Sequence, residues 1–427
     1  MRASRLHVRK YAESVTTLAP GRIAVPDDLD SVTDVGTESS DQRQAAEQVW
    51  RAVRHWYQAG TQPAIQVCVR RGGEVILDRA IGHGWGNGPD DPADAEKLTV
   101  TTQTPFCVYS AAKAISVTVL HLLIERGDLA LDARVCDYLP DYTSHGKHRT
   151  TIDHVLTHSA GVPIALGVRP DLRRSEDSEY TRQMLAALRP VYRPGLLHMY
   201  HALTWGPLVR EIVSAATGRS IRDILADDIL DPLGFSWTNY GVAPGDVDKV
   251  APSYVTGPPP PAAIEAAFTR VVGGTMAKTI QRSNTPAFLT GVVPSSNTVS
   301  TAFELSRFAE LLRRGGELNG VRVLSAPTLD AARRQRRRLR PDIATGGRPL
   351  RWGTGYMLGS TNYGPFGRNA PEAFGHTGLT DIAMWADPQR ELAVAVVSSG
   401  KPGSHPEAKR YPAVLDAINS AFPPTSV

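Results

Sequence analysis

Ser110 and Lys113 are spaced so that together they can form an activated nucleophile. Residues three positions apart lie on the same face of a helix, so the hydroxyl and the amine meet if a helix runs through them. In the first turn of that helix, the macrodipole favours both an alkoxide and a neutral amine. A weak hydroxyl beside a base of lowered pKa is what nucleophilic catalysis requires. The spacing alone is weak support, since Ser398 and Lys401 repeat it further along the chain.

Three further patterns accompany this pair in a fixed order. They are THSAGVP at 157–163, HMYHA at 198–202 and GHTG at 375–378, the last leading into a strand. Together with the S-x-x-K pair, they resemble the serine β-lactamase-like superfamily. The resemblance is strongest to the branch of class C β-lactamases, D-aminopeptidases and family VIII carboxylesterases, and it runs from about Gln62 to the helix after Ala408.

The resemblance implies a role for Ser110, for Lys113 and for Tyr200 of the HMYHA pattern. Ser110 is expected to attack an acyl carbonyl and form an acyl-enzyme, in a ping-pong mechanism. Lys113, kept neutral by desolvation and by the helix dipole, is expected to accept the serine proton. Tyr200, with a pKa lowered beside Lys113, is expected to pass that proton to the leaving group and later to activate water.

The third pattern is expected to complete the acyl pocket. The backbone N–H groups of Ser110 and Leu379 are the predicted oxyanion hole, and such a donor contributes about 3 kcal/mol in comparable sites. His376, Thr377 and Gly378 are predicted to bind substrate and to polarise the acyl group. Asp381 stands where relatives often have glycine, and we expect its carboxylate near the pocket rim to select a substrate amine.

Two positions differ from relatives that hydrolyse β-lactams. Those relatives carry Tyr-x-Asn where this chain has Tyr200-His201-Ala202, so the amide that binds the β-lactam side chain is missing. Relatives carry lysine where this chain has His376, so a fixed cation for a substrate carboxylate is lost at neutral pH unless the imidazole is protonated. Both differences favour an ester of an uncharged acyl group, and we predict a carboxylesterase.

Other activities remain open on the same residues. An acyltransferase would pass the acyl group to an alcohol or amine, as in natural-product assembly, and differs only in excluding water from the acyl-enzyme. A β-lactamase or a peptidase acting on D-amino acids is a further alternative. A non-catalytic binding protein is the rival from another class, but Ser110, Lys113 and Tyr200 are all present, which argues against it.

The elements that position these residues fall into two groups. Strand patterns lie near both ends of the chain, at 65–69 and 75–77 and again at 353–359, 382–386 and 392–398, whereas short helices fill the middle. This order predicts an α+β fold of the β-lactamase/transpeptidase-like type, an antiparallel sheet flanked by helices with an inserted helical lobe. The predicted parts are an arm at 1–38, an α/β lobe at 39–112 plus 295–427, and a helical lobe at 113–294, with the active site between the lobes.

Local signals set the limits of several elements. Ser39 with Gln42 predicts a capping box for a helix that ends at Gly60, and Thr301 with Glu304 predicts another. The Gly-, Asp- and Pro-rich residues 82–104 are predicted to form a loop that leads into Ser110.

Composition and charge exclude several other classes of protein. The net charge of +4 on 427 residues argues neither for nor against a nucleic-acid partner. The basic run at 333–340 lacks aromatic residues on which bases could stack, so no nucleic-acid partner is expected. Three cysteines favour a reduced compartment, and no stretch is long enough to span a bilayer. We expect a cytoplasmic enzyme with no cofactor, acting on a small acyl ester or thioester, of undetermined oligomeric state.

One histidine pair has the spacing of a metal site. His154 and His158 are one helical turn apart, but no Glu follows His154 and no third ligand is indicated. The turn at 157–161 explains His158 better, and we predict no metal.

Overall fold

The fold is organised around an antiparallel sheet to which both ends of the chain contribute. The computed structural model describes residues 21–425 except 169, 172–173, 175, 337–340, 343–346 and 404–409. Residues 1–20 of the predicted arm and 337–340 of the basic run lie outside the described residues. The strands are β1 Thr33–Val35, β2 Ala64–Arg71, β3 Glu74–Trp85, β4 Leu98–Thr99, β5 Phe106–Cys107, β6 Asn239–Tyr240, β7 Tyr254–Thr256, β8 Thr298–Ser300, β9 Glu317–Leu318, β10 Val321–Arg322, β11 Pro341–Asp342, β12 Arg348–Pro349, β13 Arg351–Trp352, β14 Met357–Leu358, β15 Phe374–Thr377, β16 Ala383–Asp387, β17 Leu392–Ser398 and β18 Gly400–Pro402.

Helices cover both faces of this sheet and fill the middle of the chain. They are α1 Arg43–Tyr57, α2 Ala112–Arg126, α3 Val135–Tyr138, α4 Ile152–Leu156, α5 Ser178–Ala187, α6 Trp205–Thr217, α7 Ile221–Leu225, α8 Asp231–Leu233, α9 Ala262–Val272, α10 Met276–Ser283, α11 Pro286–Thr290, α12 Ala302–Arg313, α13 Ala326–Ala332 and α14 Arg410–Ala421. None of the helices in the described part of the chain is long and apolar enough to cross a membrane.

The order of the main sheet is β1-β3-β2-β17-β16-β15-β14-β13, with β4 paired to β3. Each of these neighbours is antiparallel. Side chains alternate between the faces: in β17, Leu392, Val394 and Val396 join one core, whereas Ala393 and Ala395 join the other. The small alanines allow α12 to pack closely on their face, while α1 and α14 pack together on the opposite face. The mixed helix and antiparallel-sheet architecture is as predicted.

The apolar core on the α12 face continues into the helical middle of the chain. Ala64 and Cys68 of the sheet belong to the same buried cluster as Ile115 of α2 and Leu208 of α6. Helix α2 lies at its centre, with every residue from Ala112 to Leu123 buried. The division into lobes at 39–112 plus 295–427 and 113–294 stays a prediction.

Several local predictions are wrong in detail. Ser39 makes no cap, because its backbone N–H bonds Val75 and α1 begins after Gln42 without a side-chain cap. Residues 82–104 are not all loop, since β3 extends to Trp85 and β4 pairs with it. Within the predicted strand 353–359, only Met357–Leu358 form a strand, which is β14. Residues 353–356 form the turn from β13, where Gly355 has a φ of 98° and lies against Val117.

Glu304 has a different role from the one predicted for it. Thr301 caps α12 by accepting a hydrogen bond from the Glu304 N–H at 3.1 Å, as expected. The Glu304 carboxylate does not return to Thr301. It accepts hydrogen bonds from the backbone N–H groups of Ser236, Trp237 and Thr238 at 2.6–3.2 Å. The side chain therefore fastens the 235–238 segment to the sheet-packed helix α12.

We predict that Glu304→Ala lowers the free energy of unfolding by at least ~3 kcal/mol. The substitution removes the charged acceptor of the backbone N–H groups of residues 236–238, and of these Thr238 is buried. Urea denaturation followed by fluorescence would measure the change. Glu317→Ala is the matched control, because Glu317 pairs with Arg322 at the surface and its loss is expected to cost under ~1 kcal/mol. Equal losses in both variants would contradict this role.

Candidate active site

Ser110 lies in a tight turn that the preceding strands hold in place. The 3₁₀ turn Tyr109–Ala111 leads directly into α2. Tyr109 has a φ of 50°, a left-handed conformation that costs a bulky residue energy and often marks a functional site. Val108 enters the turn with its N–H bonded to the Thr298 carbonyl of β8 at 2.9 Å. Ser110 is half-buried while its neighbours are fully buried, so its hydroxyl is the group that the turn presents.

Lys113 places its amine beside that hydroxyl, as the spacing predicted. Its Nζ lies 3.4 Å from Ser110 Oγ and donates to the Ser295 carbonyl at 3.1 Å. The side chain is 1% exposed, and burial lowers the pKa of Lys113 to about 7. Its Nζ also lies 4.9 Å from the ring centre of Tyr200. The geometry gives a neutral amine near pH 7 within reach of a serine proton.

Tyr200 is brought to the same place, but its pKa moves in the direction opposite to our prediction. Burial raises the pKa of Tyr200 above its usual value, and the nearby Ser110 hydroxyl lowers it only in part. The phenol is buried and has no hydrogen bond of normal geometry among the described residues. Lys113 does not stabilise a phenolate because burial also disfavours the ammonium ion. Tyr200 is therefore a neutral O–H group at neutral pH.

His376 and Thr377 end strand β15 next to the serine turn, which β15 contacts, and Gly378 follows directly. A Cβ on Gly378 would lie 2.6 Å from the Val108 carbonyl oxygen, so only glycine allows this approach. The Gly378 N–H bonds the Ile382 carbonyl at 2.8 Å and closes the loop that carries Leu379. This contact brings Leu379, half-buried like Ser110, close to the serine turn. The oxyanion hole formed by their N–H groups stays a prediction.

His376 is neutral, as its environment dictates. It is fully buried, and burial together with Lys113 lowers the pKa of His376 to about 3. Its Nδ1 lies 2.7 Å from the Thr377 carbonyl, which fixes the proton on Nδ1 and leaves Nε2 as an acceptor. That Nε2 is buried without a hydrogen-bond partner among the described residues. His376 therefore presents a neutral hydrogen-bond acceptor and gives the site no fixed positive charge for a substrate carboxylate.

Asp381 belongs to a polar network behind the serine turn. Its Oδ2 accepts a hydrogen bond from Gln62 Nε2 at 3.0 Å, and its charge interacts with Lys401. Lys401 is fully buried, donates to the Ser398 carbonyl at 2.6 Å and lies 5.4 Å from the ring centre of Tyr109. Burial raises the pKa of Asp381 and lowers that of Lys401, and the attraction between the two groups opposes both shifts. Binding of a substrate amine by Asp381 stays a prediction, and its carboxylate already has a partner in Gln62.

A cluster of histidines and aromatic rings surrounds Tyr200. His158 lies 4.7 Å from the Tyr200 ring and 4.8 Å from the Trp352 ring, measured between centres. The Asp342 carboxylate accepts the Tyr200 backbone N–H at 2.8 Å. His201 turns inward and accepts the Val162 N–H at 3.1 Å. Ala202, at the position of the missing amide, has no side-chain polar group to offer a substrate. Among the described residues, no three His, Cys, Asp or Glu side chains are placed to hold a metal ion.

Sequence patterns did not identify four of these residues. Ser295, Asp342 and Gln62 act through backbone or carboxylate contacts across more than a hundred positions of sequence, and no local pattern marks them. Lys401 did have a signal. Its S-x-x-K spacing from Ser398 looked accidental, yet the amine bonds the Ser398 backbone carbonyl in the buried network.

Comparisons with known proteins agree with this arrangement. The family model described as beta-lactamase matches residues 49–419. The esterase/beta-lactamase LipL of Mycobacterium tuberculosis is 30% identical over 305 residues, 68% of this chain and 68% of that protein. A penicillin-binding protein homolog from Caulobacter crescentus superposes with a TM-score of 0.74 at 25% identity, covering 91% of this chain and 100% of that chain. A family VIII carboxylesterase gives 0.73 at 22% identity, with the same coverage, which shows the fold. The predicted fold class is confirmed.

We predict that Lys113 makes the chain more stable as pH rises from about 7 to about 10. The folded-state pKa near 7 lies below the unfolded value of 10.5, so the unfolded chain binds more protons in this range. Relative to Lys113→Met, the wild type is expected to gain up to ~4 kcal/mol of unfolding free energy across it. Denaturation at several pH values would measure the difference. Lys249→Met controls for loss of an exposed lysine, and a pH-independent difference for Lys113→Met would refute the buried neutral amine.

Proposed function

The chain belongs to the beta-lactamase family of serine hydrolases, and from that premise we propose that it cleaves a carboxylic ester through an acyl-enzyme on Ser110. The observation that carries the proposal is the amine of Lys113, buried 3.4 Å from the Ser110 hydroxyl with a pKa of about 7. At neutral pH a large fraction of this amine is unprotonated, so it can take the serine proton as the hydroxyl attacks.

The later proton steps fall to Lys113 and Tyr200 together. Lys113 holds the proton after the attack, and Tyr200, a neutral phenol in the same buried space, can relay it to the leaving alkoxide oxygen. The C–O bond of the ester then breaks, and the alcohol leaves with that proton. In the deacylation half of the reaction, water gives a proton to Tyr200 and Lys113 and attacks the acyl carbonyl. The proton returns to the Ser110 oxygen as the acyl C–O bond breaks, which releases the carboxylic acid. The Ser110 and Leu379 N–H groups would stabilise the oxyanion in both halves.

The polarity of the pocket supports an ester of an uncharged acyl group over a β-lactam. His376 is neutral and presents an unprotonated Nε2, which repels a carboxylate. Ala202 stands at the position of the amide in the Tyr-x-Asn pattern and offers no hydrogen bond to a substrate side chain, while the ring of His201 bonds the backbone. A relative named esterase/beta-lactamase and a fold neighbour named carboxylesterase are consistent with this choice.

We predict that a short-chain p-nitrophenyl ester forms an acyl adduct on Ser110. Intact-protein mass spectrometry should show the mass of one acyl group on the wild type, and none on Ser110→Ala. Ser31→Ala, which removes an exposed serine hydroxyl, is the matched control and should acylate at the wild-type rate. Adduct formation and turnover in Ser110→Ala at the wild-type rate would disprove the nucleophile.

The fate of the adduct separates the related activities. An adduct that clears in water supports the esterase. One that persists until an alcohol or amine is added identifies an acyltransferase. An adduct formed by penicillins in preference to esters identifies a β-lactamase, and no adduct with any acyl donor indicates a binding protein.

We predict that kcat/KM for the ester rises with pH through an apparent pKa of about 7 and is then level. This rising limb of the pH profile reflects deprotonation of Lys113 in the free enzyme. Lys113→Met should lose the limb and about 10²–10⁴-fold in rate. Because burial also lowers the pKa of Lys401, the double variant Lys401→Met/Asp381→Asn, which removes the other buried pair, serves as the comparison. Loss of the limb in that double variant, with retention in Lys113→Met, would assign it to Lys401 and contradict the proposed base.

A further inference from the structure

A cavity of about 220 Å³ lies outside the active site, between the β2–β3 hairpin and helix α12. The turn from β9 to β10 closes its third side. Half of the residues that line it are charged, and the others include one aromatic ring and one side-chain amide. The wall includes Arg70, Phe303, Arg307, Glu310 and Arg314.

Arg70 is the most unusual residue of this wall. A shift of register between Val69 and Arg70 marks a β-bulge, a device that re-aims a side chain. The side chain is only 8% exposed, with Nε bonded to Ser306 Oγ at 2.9 Å and the guanidinium 4.7 Å from the Phe303 ring centre. Its Nη2 is buried and has no hydrogen-bond partner among the described residues.

A buried guanidinium requires a counter-charge, and the surrounding protein supplies too little. Asp78 interacts with Arg70, but burial raises the pKa of Asp78 to about 7, so much of this carboxyl is neutral at pH 7. No ion pair within 4 Å joins Arg70 to any residue in the described part of the chain. Burying an unpaired charge, or an unbonded N–H, costs several kcal/mol in general. An anion in the cavity would balance the charge of the guanidinium without reaching the enclosed Nη2.

The other side chains of the wall add positive charge. Arg307 bonds the Leu233 and Gly234 carbonyls, so its charge is not neutralised by a carboxylate. Arg314 is exposed at the mouth. Glu310 is the one acidic side chain of the wall, and Arg313 binds its two oxygens, each at 2.7 Å. Three arginines thus face the cavity against one glutamate that is already paired.

We propose that this cavity binds a small oxyanion of the phosphate type, with Arg70 as its innermost ligand. Guanidinium groups present paired N–H donors that match the oxygens of phosphate. The cavity is several times the ~30 Å³ that one water occupies in the liquid, so a phosphate group fits with part of a larger molecule or with water. The site lies apart from Ser110 and does not depend on the proposed ester chemistry.

Titration calorimetry of the full chain with inorganic phosphate tests the proposal, with sodium chloride at equal ionic strength as the reference. We expect saturable binding of phosphate that chloride does not reproduce. Arg70→Gln should weaken the Kd at least about tenfold, the effect of losing a charge-assisted hydrogen bond. Arg314→Gln, an exposed change that does not threaten folding, should weaken it as well.

Arg368→Gln is the matched control, because Arg368 is 70% exposed and contacts α14 on the opposite face of the sheet. It should bind phosphate as the wild type does. Tighter binding of glycerol phosphate than of inorganic phosphate would identify a phosphorylated metabolite as the occupant, and the reverse would identify the free ion. Absence of saturable binding, or equal affinity in Arg70→Gln, Arg314→Gln and Arg368→Gln, would overturn the proposal.

Discussion

The amine of Lys113 is held where an ammonium ion is disfavoured, and the surrounding structure serves to keep it there. Helix α2 must be buried on all sides to exclude water from this amine, so it cannot be an ordinary amphipathic surface helix. Its polar side chains are satisfied internally. Thr118 bonds the Tyr356 hydroxyl at 2.9 Å, and His121 Nε2 bonds the Thr354 carbonyl at 2.9 Å. These contacts connect α2 to the turn between β13 and β14. Strand β14 pairs in turn with β15, which carries His376.

Strained backbone and a second buried pair surround the serine turn. Tyr109 and Asp381 have φ values of 50° and 52°, in the left-handed region that non-glycine residues seldom adopt. Lys401 lies between them, near the Tyr109 ring and interacting with the Asp381 carboxylate. The Ser398 hydroxyl donates a hydrogen bond to the Asp381 carbonyl oxygen at 3.0 Å. One buried lysine thus supports both segments that carry the predicted oxyanion donors.

The sequence was informative where a function depends on local spacing and silent where it depends on burial. The three-residue separation of Ser110 and Lys113 and the alternation of β17 follow from helix and strand geometry, and both are present in the structure. The direction of the Tyr200 pKa does not follow from its neighbours in sequence. It depends on how much protein covers the phenol, which long-range packing decides. Asp342 and Glu304 were missed or misassigned for the same reason, since their partners lie far away in the chain.

Burial of so many titratable groups gives the site its chemical character. Lys113, Tyr200 and His376 are all shifted toward their neutral forms by the same loss of water. Such a pocket stabilises charge through oriented N–H and O–H groups, and little through fixed ions. It therefore gains most from a substrate that is neutral when bound and develops negative charge only as the serine attacks. A carboxylic ester has that property, whereas a substrate with a permanent carboxylate would have to be desolvated beside the bare Nε2 of His376.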